Sequence, residues 1–242
     1  MKILILCCYY DRPNMVRFAL NSIKNQSYDN WELIFVDDSS KFPGKPIVEE
    51  ILGDYLNKVK FYHTNDPEKK EGNGESIFGK YWNIASLNSD SDISIMLCDD
   101  DALTPNYLQE LSKWYENNPN QNYSYCHLST FNPYEVRSLD EIKINLNYGL
   151  NHKVPINPYC MLDASQVSWR TDAVRMNNVR FPFPQTSSLD ADFYKQLFEI
   201  YGECYFNGIV GQYKGIHCDQ LGLRLFEENK VYTVNDLSFI PL

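Results

Sequence analysis

The sequence lacks most of the features that assign a chain quickly. It has no CxxC pair, no GxGxxG after its first apolar run and no excess of positive charge. No run approaches the ~18 uninterrupted apolar residues of a membrane helix, so no transmembrane segment is expected. Each absence excludes a class. Lys and Arg number 22 against 32 Asp and Glu, a net charge of −10, which argues against a nucleic-acid partner and against an anionic membrane surface as docking site. The cysteines are seven, an odd number, which fits neither a disulfide frame nor a zinc site. Cys7, Cys8, Cys98, Cys126 and Cys160 are expected to be reduced, buried thiols of a cytoplasmic protein. The apolar run Ile3 to Cys8 is too short for a signal-peptide core and is expected to be a strand. No internal repeat, linker or low-complexity tract interrupts the chain.

What is present is an ordinary globular composition, 43% apolar and 22% charged, long enough for one large domain spanning residues 1–242. The 18 Tyr and 13 Phe provide either a bulky core or a stacking surface. Lys2 to Cys8 is a continuous apolar run, as in a central parallel strand. Val16, Phe18, Ala19, Leu20 and Ile23 follow at helical spacing, and Trp31 to Val36 is a second strand, completing a βαβ unit. A helix is expected over Pro46 to Leu56 and a strand over Val59 to His63. Residues 64–76, with Gly72 and Gly74, form either a loop over a site or a plain connection. Helices over Phe78 to Leu87, Tyr107 to Tyr115 and Asp190 to Tyr201 alternate with strands at Ile93 to Leu97, Tyr123 to Thr130 and Cys204 to Tyr213. The pattern is α/β, a mostly parallel sheet flanked by helices.

Carboxylates collect where strands stop. Asp37 and Asp38 close the second strand, and Asp99, Asp100 and Asp101 close the strand that begins at Ile93. In an open parallel sheet both sets lie on one edge, where ligands bind. Three adjacent carboxylates repel one another unless a cation is near, and a hard ion such as Mg²⁺ or Mn²⁺ bridging to a phosphate is one answer. The other is a solvated acidic turn leading into a helix capped at Thr104-Pro105. Asp37 and Asp38 either accept from a ribose or base, or close Asx-turns on their own backbone. Asp190 and Asp192 open a helix, a position that favours acids in any case, or supply a general base. His217 is a structural histidine or a late ligand to the same metal. Arg12, Lys69, Lys70 and Lys80 are surface charges or neutralise a diphosphate.

These pieces resemble the inverting family-two glycosyltransferases of the GT-A fold. Leu6-Cys7-Cys8-Tyr9-Tyr10-Asp11-Arg12-Pro13 is similar to that family's strand and "TYNRP" turn. Ser22-Ile23-Lys24-Asn25-Gln26-Ser27-Tyr28 is similar to "SILNQTY", and Glu32-Leu33-Ile34-Phe35-Val36-Asp37-Asp38-Ser39-Ser40 to "ELIVVDDGS". Lys80 to Ala85 resembles "ARNIGI", Met96 to Leu108 resembles "FLDSDDIWLPEYL", and Leu189 to Leu197 resembles "EDYDFWLRL". Cys98 stands for the first Asp of the DxDD form, although Asp99-Asp100-Asp101 still supplies a DXD. Leu189 stands for the Glu of ED, and Tyr9 for a small Thr.

The resemblance implies a GT-A, Rossmann-like single domain. Residues 1–110 would bind a nucleotide-diphosphate sugar, a UDP-sugar favoured, residues 111–224 an acceptor hydroxyl of a glycan, and 225–242 would be a tail. It implies Asp37, with Asp38, as the carboxylate that reads the base, flanked by Tyr9, Asp11 and Arg12. It places Asp99 toward the ribose, Lys80 toward the phosphates, and Mn²⁺ or Mg²⁺ on Asp99, Asp100, Asp101 and His217. Asp190 would be the catalytic base. The rival is a catalytically inactive relative that binds a nucleotide or glycan, for which Cys98 and Leu189 speak. A sugar-nucleotide nucleotidyltransferase is disfavoured, because Tyr9 to Asn14 is not a Gly-rich basic loop.

Overall fold

The computed structural model describes residues 1–66, 77–144, 157–159, 162–183 and 189–217. Lys69, Lys70, Gly72, Gly74, Cys160 and the expected tail fall outside the described residues. Among the described residues eight strands form one sheet: β1 (Ile3–Tyr9), β2 (Trp31–Asp37), β3 (Val59–His63), β4 (Ile93–Leu97), β5 (Ala102–Leu103), β6 (Tyr123–Phe131), β7 (Val167–Arg170) and β8 (Tyr205–Gly215), in the order β3-β2-β1-β4-β7-β6-β8-β5. β3, β2, β1 and β4 run parallel, as does the β6–β8 pair, while β7 and β5 are antiparallel to their neighbours. The sheet is therefore mostly parallel, in the α/β class expected.

Strand period explains the two cores. In β1, Ile3, Ile5, Cys7 and Tyr9 face one side, while Leu4 and Leu6 face the other, all of them buried. Helices α1 (Val16–Lys24), α2 (Lys45–Leu52) and α4 (Tyr107–Asn117) cover the first face with Leu20, Ile47, Val48, Leu108 and Leu111. Helices α3 (Phe78–Asn88), α5 (Thr171–Met176) and α6 (Leu189–Tyr201) cover the second with Trp82, Val174, Phe193 and Leu197. A strand buried on both sides must be apolar throughout, which is why β1 shows no polar alternation.

Two expectations shift. The helix expected over Pro46 to Leu56 ends at Leu52 and tightens into a 3₁₀ turn over Gly53–Lys58. Thr104-Pro105 does not open the next helix, which starts at Tyr107. The Thr104 hydroxyl donates to the Val210 carbonyl at 2.6 Å, and Ala102 and Leu103 pair with Tyr213 and Gln212. Sheet pairing thus takes residues 102–104 before the helix can claim them. The topology reverses between β1 and β4, where the chain leaves the β1-β2-β3 side and returns across the sheet. That switch point is where an open α/β sheet forms its crevice.

Helix α1 separates packing from surface charge. Leu20 is fully buried against the sheet, while the outward Arg17 makes a two-pronged pair with Glu50 at 2.7 and 2.8 Å. In urea denaturation, Leu20→Ala is expected to cost about 2–5 kcal/mol. Arg17→Ala is expected to cost less than about 1 kcal/mol, because that pair is solvent-exposed. Equal losses would contradict the packing described.

Candidate active site

Register brings the loops together. Tyr9 lies opposite Asp37, and Cys7 opposite Leu97, so the segments after β1, β2 and β4 leave the sheet side by side. Two turns there adopt positive φ outside glycine, Asp11 at 50° and Ser39 at 65°. This left-handed conformation is uncommon for any side chain, least so for Asp, and it bends each loop back on the sheet edge.

After β2, the buried Asp37 carboxylate accepts from the backbone N–H of Ser40 at 3.1 Å and of Gly44 at 2.8 Å. It thereby closes a turn on its own backbone, the bonding of an Asx-type residue. Asp38 accepts from the Thr64 hydroxyl and from the Ile77 N–H, both at 3.3 Å. The Tyr9 hydroxyl donates to the Phe42 carbonyl at 2.7 Å, and the Phe42 N–H donates to Asp11 at 3.0 Å. Tyr9 is itself fully buried against Phe35, so it supports the rim and presents no open face.

The acidic triplet after β4 is almost completely buried. Arg12 bridges Asp99 and Asp100 at 3.0 and 3.1 Å, and Asp99 also accepts from the Tyr10 N–H at 3.0 Å. His217 Nε2 lies 3.0 Å from the same Asp100 oxygen that Arg12 holds. Asp101 accepts from the Ser165 hydroxyl, from the Gly215 N–H at 3.0 Å and from Lys214 at 3.2 Å. Lys214 reaches Asp163 as well, at 3.3 Å. Gly215 is required by this closeness: a Cβ there would fall 2.0 Å from the Asp100 carbonyl oxygen.

Burial and neighbours divide the three acids. Burial and the Asp100 charge raise Asp99 to about 6, although Arg12 opposes them. Burial also raises Asp101, to about 7, against the pull of Lys214. Burial would raise Asp100 too, but His217, Lys214 and Arg12 bring it down to about 2. Groups this close titrate as a set. Asp190, second residue of α6, is raised to about 6 by burial and by the Asp163 charge.

Of the residues singled out in the sequence, Tyr9, Asp11, Arg12, Asp37, Asp38, Asp99, Asp100, Asp101 and His217 thus meet at one sheet edge. Asp190 makes no hydrogen bond or ion pair with them among the described residues; the charges that act on it are those of Asp163 and of Lys214, which itself pairs with Asp101. Lys80 does not meet them: its ammonium lies 5.7 Å from the Phe183 ring, and among the described residues it makes no ion pair. The sequence reading missed Tyr10, Ser165, Asp163 and Lys214. Lys214 had a signal, a lone cation at the end of an apolar strand, but β8 was expected to stop at Tyr213. Cys98 is a correction. Instead of being a buried thiol in an apolar setting, it is half-buried, and its Sγ lies within 4.8 Å of oxygens of Asp100 and Asp101. The reason is that β4 ends at Leu97, so Cys98 belongs to the turn. Cys98 is held above the ordinary thiol range by its hydrogen bond with Cys8 and by burial.

Three comparisons bear on the family and the fold. The profile of a family described as "Glycosyl transferase family 2" matches residues 4–161. A teichoic acid poly(glycerol phosphate) polymerase of Staphylococcus epidermidis is 24% identical over 181 residues, covering 74% of this chain and 23% of that protein. Crystal structures of S. aureus TarS superpose with a TM-score of 0.65 at 15% identity, covering 90% of this chain and 37% of TarS. TarS 1–349 in complex with UDP-GlcNAc gives 0.64 at 15% identity, covering 90% and 59%. At such identity the likeness shows the fold alone, and the chain spans about a quarter of its curated relative's length.

The buried charge pair generates a test. Lys214→Met leaves Asp101 facing an apolar side chain, and a loss of about 3–5 kcal/mol is expected in thermal or urea melts. Asp101→Asn in the same chain is expected to restore most of it. Additive losses would mean that the two groups do not act as a pair.

Proposed function

The chain belongs to glycosyl transferase family 2, and from that premise we propose that it moves a sugar from a nucleotide-diphosphate sugar, a UDP-sugar by preference, to a hydroxyl acceptor with inversion. The observation that carries the reading is the meeting of Arg12, Asp99, Asp100 and His217 at the β1–β4 switch point. The UDP-GlcNAc complex of TarS supports the donor class. Residues 1–110 form the donor half and residues 111–224 contribute the acceptor half. The polymerase likeness supports a polyol- or glycan-type acceptor.

The residues divide the work. Asp37 and Asp11 hold the rim on which the base rests, Asp37 through the loop it closes. Asp99, fixed by Tyr10 and Arg12, faces the ribose. The acceptor oxygen attacks the anomeric carbon from the face opposite the diphosphate. As the new C–O bond forms, the bond to the phosphate oxygen breaks, and the acceptor's proton passes to Asp190. A carboxylate raised to about 6 by burial and by Asp163 suits that task, since a base works best with a pKa near the operating pH. Arg12 and Lys214 keep positive charge beside the departing diphosphate.

Asp100 is the carboxylate that would hold a divalent ion, since its oxygen lies within 4.8 Å of Cys98 Sγ and of an Asp101 oxygen. The 3.0 Å approach of His217 Nε2 to Asp100 is a hydrogen bond that such an ion would replace, with His217 then free to ligate. The oxygens of Asp101 are already engaged by Lys214, Ser165 and Gly215, so its part is to anchor the end of β8. Mn²⁺ or Mg²⁺ on Asp100 and His217 would supply further charge to the leaving diphosphate.

Asp190→Asn is expected to lower turnover of a UDP-sugar by about 10²–10⁴-fold while UDP binding persists. Unchanged turnover would remove Asp190 from the mechanism, and no turnover in the unaltered chain despite UDP binding would favour the inactive binder.

Wild-type turnover is expected to fall as pH drops through about 6, because Asp190 must be ionised. The stability term has the opposite sign. Between the unfolded value of about 3.9 and the folded one, the native state holds the extra proton, so this group's contribution falls as pH rises. A pH–rate profile without an acidic limb would contradict this assignment.

Chelation with EDTA is expected to abolish transfer, with Mn²⁺ or Mg²⁺ restoring it. Full activity under EDTA would remove the ion from the mechanism.

A further inference from the structure

We infer that the acceptor is a saccharide of closed pyranose rings rather than an open-chain polyol, and that Tyr134, Tyr159 and Phe183 are the surfaces its rings lie on. The inference deepens the transfer reading above and rests on it.

Exposed rings are not spread evenly over this protein. Among the described residues the exposed aromatic side chains are Phe42, Tyr134, Tyr159, Phe183 and Tyr205. Tyr205 opens β8 at the far end of the sheet. The other four lie on loops at the end where β1, β2 and β4 stop: Phe42 on the donor side, the rest in the half after residue 110. By contrast, the exposed aliphatic Leu87 and Ile200 lie near the last turns of α3 and α6, toward the far end.

Two of the rings are presented by one repeated device. Asn-Pro-Tyr occurs at 132–134 and again at 157–159. In each copy the Tyr N–H donates to the Asn Oδ1 at 3.0 Å, an Asx-turn, the proline is buried and the tyrosine exposed. Proline fixes φ and the side-chain bond fixes the turn, so each ring is held out from a rigid backbone. β6 and β8 run parallel with Phe131 opposite Gly215, which brings Tyr134 and His217 out together. Their rings are 6.0 Å apart at 88°. Tyr159 precedes the turn whose Ser165 hydroxyl reaches Asp101, and Lys195, on the helix that carries Asp190, stands 6.0 Å from its ring. Phe183 has the Lys80 ammonium 5.7 Å from its ring. Gly79 lets α3 close on that loop: a Cβ there would fall 3.0 Å from Leu189 Cδ1 and 3.3 Å from Phe181 Cβ. Leu189 precedes Asp190, so the Phe183 loop borders the start of α6.

Ligand chemistry follows from this spacing. Separate rings, each beside His217, Lys195 or Lys80, do not form the continuous apolar patch that a lipid chain needs. A pyranose carries C–H groups on one face and hydroxyls around its rim. The face covers an aromatic ring while the hydroxyls meet the polar neighbours. An open-chain polyol has no such face until it is ordered, and ordering it loses conformational entropy.

The test uses the full chain with soluble tetrasaccharides of glucose, galactose, mannose and N-acetylglucosamine, and with ribitol and glycerol as open-chain probes. Saturation-transfer NMR reports sugar binding, and calorimetry reports UDP binding. At least one tetrasaccharide is expected to receive saturation at its ring C–H protons, and ribitol and glycerol none. Tyr134→Ala, Tyr159→Ala and Phe183→Ala are each expected to weaken that tetrasaccharide about 3- to 10-fold. Tyr134→Phe and Phe183→Tyr are expected to keep its affinity, as is Tyr205→Ala at the far end. UDP binding is expected to persist in every variant, which separates loss of a ring from loss of fold. Absence of UDP binding in the unaltered chain would overturn the transfer reading and this inference with it. UDP binding without any tetrasaccharide binding, affinity unchanged in all three alanine variants, or ribitol binding with the same dependence on the rings would overturn this inference alone.

Discussion

Three consecutive carboxylates almost wholly removed from water cannot share the end of one strand unless positive charge is brought to them. Here that charge comes from two distant parts of the chain. Arg12 arrives from the loop after β1 and Lys214 from the end of β8, while His217, just beyond, hydrogen-bonds Asp100. Breaking a buried pair costs more than forming it gains, so the arrangement constrains everything tied to it. The end of β8 must come within contact of the acidic turn, and only glycine at 215 allows that approach.

The rest of the architecture serves this edge. Parallel pairing of β2, β1 and β4 delivers three loops to the same side. The continuous apolar strands give two buried faces, each covered by helices, so the sheet is a rigid base. The loops above it are held by side chains bonding to backbone: Asp37 to Ser40 and Gly44, Asp11 to Phe42, Tyr9 to Phe42. Asp190 arrives from the opposite face on α6, and it is desolvated because that helix packs its Phe193 and Leu197 into the second core. Packing thereby sets the basicity of a residue that touches none of the triplet directly.

Much of this was legible in the sequence. Period-two and period-3.6 patterning marks the strands and helices because each element must bury one stripe or two faces. Acids at strand ends announce the edge where charge gathers, because such a cluster is tolerable only where something compensates it. Family membership and the α/β fold follow from short motifs in the right order. Pairings distant in sequence were not legible. Nothing local couples Lys214 to Asp101, or makes Asp37 close a turn on Gly44 when Asp38 beside it bonds Thr64. Nor does local pattern set Cys8 against Cys98, since that contact exists only once β1 and β4 pair in register. The sequence by itself determined which segments become strands and helices and where negative charge would collect, since these depend on neighbours along the chain. Only the tertiary structure decided which charge neutralises which, because that choice depends on separations that the chain acquires when the sheet forms.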